Sequence, residues 1–104
     1  MGNNALLSNT TGDFNVAVGY GALEENTTGQ MNTAVGDFAG EKTTGDRNSV
    51  LGSNALRFNT SGDNNTAIGQ DALRENTTAS NNTGVGYSAL KANTTGENLS
   101  LIHI

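Results

Sequence analysis

The sequence predicts an all-β fold, a parallel β-solenoid of about six coils of 17 residues, in one repeat domain over residues 1–98. Three observations predict it. One phrase, N-T-A-V/I-G-x-x-A-L-x-x-N-T-T-G-x-x, recurs from Asn15, Asn32, Asn48, Asn65 and Asn82, after a partial copy over Gly2 to Phe14. A fixed short period marks a solenoid, because each copy must stack on the next to bury its apolar side. The N-T-A-V-G segments alternate side chains with the two-residue period of a strand. Glycine returns at two offsets in each copy, which places two corners per coil. Met1 opens in the middle of a phrase, so the chain reads as a piece of a longer array.

The first element of each coil is the short strand after the asparagine. The pairs Val16-Val18, Thr33-Val35, Ser49-Leu51, Thr66-Ile68 and Thr83-Val85 lie on one side of it. Their larger members, Val18, Val35, Leu51, Ile68 and Val85, are expected inside the coil. The other side carries Ala17, Ala34, Val50, Ala67 and Gly84, and is expected to lie against a sister chain. Next come the first glycine corner, at Gly19, Gly36, Gly52, Gly69 and Gly86, and then an Ala-Leu pair. Leu6, Leu23, Leu56, Leu73 and Leu90 are expected in the core; the segment reads as strand or irregular extended chain, with a short helical turn as the alternative. The second corner is Gly12, Gly29, Gly45, Gly62 and Gly96, with Ala79 in the fifth coil.

Asparagine stacks twice, at Asn15, Asn32, Asn48, Asn65 and Asn82, and at Asn9, Asn26, Asn59, Asn76 and Asn93. Coils stacked about 4.8 Å apart let side-chain amides bond along such columns, so both are read as structural ladders. Many of these residues also open N-x-S/T triplets, but the repeat generates most of them by itself. The third coil, from Asn32, is one residue short and has Ala39-Gly40 in place of Ala-Leu, which predicts a gap in the leucine column. The variable column Glu24, Glu41, Arg57, Arg74, Lys91 is read as solvated.

Composition limits the function. Ten acidic and five basic residues give a net charge of −5, which argues against nucleic acid, whose phosphates call for basic clusters. There is no cysteine, so neither a disulfide framework nor a thiolate metal site is expected. No run approaches the roughly 18 apolar residues of a membrane helix, and direct membrane insertion is not expected. No secretory leader pattern precedes the repeats.

The phrases NVAVGYGAL, NTAVGDFAG, NSVLGSNAL, NTAIGQDAL and NTGVGYSAL resemble the YadA-like head repeats of trimeric autotransporter adhesins. The resemblance covers residues 2–98 and implies a left-handed, β-roll-like solenoid, a homotrimer, display on the bacterial cell surface, and attachment to host matrix protein or surface glycan. The 17-residue length and the added N-T-T-G corner are also similar to stalk repeats of phage tail fibres, which implies a place on a virion instead. The thin apolar content of each coil, two of whose four core residues are alanine, independently calls for a partner chain. Leu99 to Ile104 break the phrase. They read as a capping strand or, preferably, as a foreign tail resembling translated sequencing-adapter ends.

No catalytic, cofactor or metal residues are expected, and the chain is not read as an enzyme. The only histidine, His103, lies in the tail and is read as incidental; Glu24-Glu25, the one adjacent acidic pair, sits on a variable surface. Gly19-Tyr20-Gly21 and Gly84-Val85-Gly86 lack a dinucleotide fingerprint. A further alternative is an ice-binding face, from the columns Thr10-Thr27-Thr60-Thr77-Thr94 and Thr11-Thr28-Thr44-Thr78-Thr95, with Ser61 in the second. The expected role is a non-enzymatic repeat segment that presents or spaces a binding surface.

Overall fold

The computed structural model describes residues 2–102; His103 lies outside them. Six three-residue strands follow one another: β1 (Val16–Val18), β2 (Thr33–Val35), β3 (Ser49–Leu51), β4 (Thr66–Ile68), β5 (Thr83–Val85) and β6 (Ser100–Ile102). They form one parallel sheet in chain order, each strand in register with its neighbours, as Ala17 with Ala34 and Ala34 with Val50. Every strand returns beside its predecessor one coil later, so the chain is an all-β parallel solenoid, 33 Å long and 21 by 17 Å across. Residues 100–102 take the sixth strand position, with Ser100 beside Thr83.

The first glycine column follows from close stacking. Gly52 has φ +136°, and a Cβ on it would lie 2.6 Å from the carbonyl of Gly69 in the next coil. Backbone passes over backbone here, and only glycine leaves the room.

Beyond this corner the Ala-Leu segment is neither an extended strand nor a helical turn. It is a run of linked reverse turns. Ala22 N–H donates to Gly19 O at 3.3 Å, Glu24 N–H to Gly21 O at 3.2 Å, and Asn26 N–H to Leu23 O at 3.1 Å. Gly21 (φ 66°) and Leu23 (φ 51°) are the third residues of the first two turns, the position at which type II turns need positive φ. The alternation of positive and negative φ is what prevents a helix. It also leaves every second amide free to bond along the stack: Leu23 N–H donates to Ala39 O at 3.0 Å and Glu25 N–H to Glu41 O at 2.8 Å.

The strand's sidedness corrects the sequence reading. The middle residues Ala17, Ala34, Val50 and Ala67 are buried, while Val18, Leu51 and Ile68 are exposed and Val35 and Val85 half-buried. The small column is the inside. The interior opposite it is already filled by Leu23, Leu56 and Leu73, each fully buried, with Leu6 and Leu90 packed at either end. A Cβ on Gly84 would lie 3.3 Å from Leu73 Cγ and 3.0 Å from Ala89 O, so little beyond a methyl group fits. In the repeat register the neighbour of Val50 equivalent to Leu73 is Gly40. The one valine of the inner column therefore coincides with the one missing leucine.

Candidate functional site

Both asparagine columns point inward and act along the stack. In the first, Asn15 Oδ1 accepts the Asn32 backbone N–H at 2.9 Å, and Asn15 Nδ2 donates to Gly29 O at 2.7 Å. The same pair of bonds recurs at Asn32, Asn48, Asn65 and Asn82. Each amide thus satisfies a backbone N–H of the next coil that burial would otherwise leave unpaired at considerable cost, and shares a corner carbonyl with the second column, as Gly29 O also accepts from Asn26 Nδ2 at 3.2 Å. The second column is an amide-to-amide ladder. Asn26 Nδ2 donates to Asn9 Oδ1 at 2.9 Å, Asn76 to Asn59 at 2.9 Å and Asn93 to Asn76 at 3.1 Å. Asn26, Asn59 and Asn76 are fully buried, which closes those N-x-S/T triplets to modification in the folded chain.

The ladder breaks in the third coil, where Thr43 takes the asparagine position. Asn26 Oδ1 and Thr43 Oγ1 are buried there without a protein partner. The residue this coil lacks falls after Thr44, whose hydroxyl donates to Thr60 O as Thr10 does to Thr27 O and Thr60 to Thr77 O. Thr44 therefore belongs to the first threonine column, not the second. The hydroxyl hydrogens at Thr10, Thr44, Thr60 and Thr77 are all used within the stack.

The outside of the sheet is the surface with most binding character. Three columns point outward: Phe14, Met31, Arg47, Asn64, Asn81 and Asn98; the first residues of β1 to β6; and their last residues. Arg47 is the only charged residue in the three. Phe14 is 79 % exposed and Leu51 50 %, and Val16, Val18, Met31, Ile68 and Ile102 are exposed beside them. The patch is richest in apolar groups at the N-terminal coils. In the first of these columns φ is positive throughout, from 57° at Arg47 to 62° at Asn81. Asparagine adopts this conformation readily; phenylalanine and methionine hold it at a cost of roughly 1–2 kcal/mol.

A second surface cluster lies over the turns. Tyr20 meets Phe38 edge-on with ring centroids 5.3 Å apart. The Arg57 guanidinium lies 4.3 Å from the Phe38 centroid and 5.2 Å from that of Phe58, with Arg74 5.5 Å from Phe58. Arg57 Nε also pairs with Glu41, and Lys42 Nζ with Glu25 at 3.1 Å. The column Glu24, Glu41, Arg57, Arg74, Lys91 is thus not simply solvated: where its sign changes, it forms a half-buried ion pair between coils. These side chains are engaged with one another, which makes the cluster a clamp rather than an open site.

Among the described residues, no group of three or more His, Cys, Asp or Glu side chains is placed to hold a metal, and no cleft is present. No family model, no curated protein and no solved structure matches the chain.

Proposed function

We propose that this chain is a spacing and display segment of a fibrous homotrimer on the bacterial cell surface, an adhesin of the kind its repeats resemble, and not an enzyme. The observation that carries the reading is the outward sheet face: broad, nearly free of charge, and lined by Phe14, Val16, Val18, Met31, Leu51 and Ile68. Contiguous exposed apolar surface of this kind marks an interaction site. Phe14 and Met31 hold strained positive φ values with their side chains in solvent, so burial of those side chains within one chain does not offset the strain. Sister copies packed against the face would supply the missing contacts and the apolar burial that an alanine-rich core lacks. The interior then serves stiffness, and the distal end of the rod meets a host matrix protein or surface glycan.

The 17-residue register of the ladders favours one second reading, a stalk repeat of a phage tail fibre. It uses the same packing of copies and differs in location, on a virion.

Charge placed on the outward face tests the proposal. Leu51→Asp together with Ile68→Asp should leave the circular dichroism of the fold intact and turn the assembly into monomers by light scattering. Assembly unaffected by both charges would show that another surface joins the copies. Immobilised matrix proteins and a glycan array test display; binding to neither would leave only the spacer role.

A further inference from the structure

We propose that the third coil, Asn32 to Arg47, is a salt-sensitive joint, the place where the stack parts first. Inside, this coil keeps the first asparagine ladder through Asn32 but lacks two of the features that bind its neighbours together. Thr43 interrupts the asparagine ladder, leaving Asn26 Oδ1 and Thr43 Oγ1 buried and unpaired. Gly40 replaces a leucine that is fully buried at Leu23, Leu56 and Leu73. Leu23 Cδ2 and Thr43 Oγ1 both lie 3.2 Å from where a Cβ on Gly40 would be, so one of the two side chains that close over the absent leucine's place is polar. Unpaired buried polar groups and lost apolar packing both favour local opening.

Outside, the same coil carries bonds found nowhere else along the described stack. Both ion pairs that join one coil to the next involve its residues: Lys42 with Glu25 below, and Glu41 with Arg57 above. Phe38, also of this coil, lies between Tyr20 and Arg57. The joint thus exchanges an inner, solvent-shielded ladder for an outer clamp of charges. The exposed Lys42–Glu25 pair is weakened by salt, whereas the half-buried Glu41–Arg57 pair and the buried amide ladders are screened far less.

Amide hydrogen exchange measured residue by residue by NMR tests this. Leu23 and Glu25 donate to Ala39 and Glu41 across the joint that the Lys42–Glu25 pair spans; their counterparts Leu73 and Glu75 donate to Ala89 and Lys91. In about 1 M salt, where the screening length is roughly 3 Å, the first set should exchange on the order of tenfold faster than the second. In low salt the gap should narrow. Thr43→Asn, which restores the ladder, should close most of it even in high salt. The reciprocal change, Asn59→Thr, should open a second fast-exchanging site in the fourth coil. Equal exchange of the two sets in high salt would overturn the joint, and so would a gap that ignores both salt and Thr43→Asn.

Discussion

Asn65 shows how one side chain serves two coils. Its Oδ1 accepts the Asn82 backbone N–H at 3.0 Å and its Nδ2 donates to Ala79 O at 3.0 Å, with the residue 1 % exposed. Alanine there would leave the Asn82 backbone N–H buried and unpaired, while Ala79 O keeps the bond it accepts from Asn76 Nδ2 at 3.0 Å. Asn65→Ala should cost about 1–3 kcal/mol in urea denaturation, and Asn15→Ala, half-buried at the first full coil, should cost less. The leucines pose a different balance. At φ near 50° each gives up roughly 1–2 kcal/mol of backbone energy, and full burial of the side chain returns about as much or more. Ser88 holds a comparable φ of 56° without being buried. Ser88→Asn should therefore raise stability by up to about 1 kcal/mol; a loss would mean that the serine makes contacts its geometry does not reveal. These turns were legible in part. Asn4, Gly21, Asn54 and Asp71 share one column, and Asn64, Asn81 and Asn98 another, the residue types that accept positive φ most readily. The leucine column was not legible, because leucine avoids that conformation unless burial holds it there.

At the scale of the element, the three-residue strand carries period and register plainly and sidedness not at all. Alternation divides Thr66, Ala67 and Ile68 between two faces, and size suggests that Ile68 goes inside. The interior has room only for Ala67, because the leucine and asparagine columns already occupy it. Two substitutions separate these arrangements. Ala67→Leu should overpack the coil and cost about 1–3 kcal/mol. Ile68→Thr should change the stability of a single chain by less than about 0.5 kcal/mol, while weakening association of copies. The opposite ranking of the two in thermal melts would restore the larger residue to the inside. The short third coil was visible as a deletion, and its consequence was visible only in part. The missing leucine could be read from Gly40. The orphaned Asn26 Oδ1 needed the knowledge that Thr44 belongs to the first threonine column, which puts Thr43 in the ladder.

For the whole molecule, the repeat phrase was enough to give a parallel solenoid, because a fixed period with two glycine corners leaves little choice of fold. The face proposed to meet other copies was not, since it follows from the strand's sidedness. Turning the strand over moves that proposed surface from the alanine column to the column of Val18, Val35, Leu51, Ile68 and Val85, which gives a stronger reason to propose association than alanines would. The account as a whole rests on that face being covered by copies of the same chain. Sedimentation equilibrium of the purified chain at micromolar concentration measures this directly. The prediction is a single species of three times the chain mass, and a folded monomer that persists as concentration rises would contradict it.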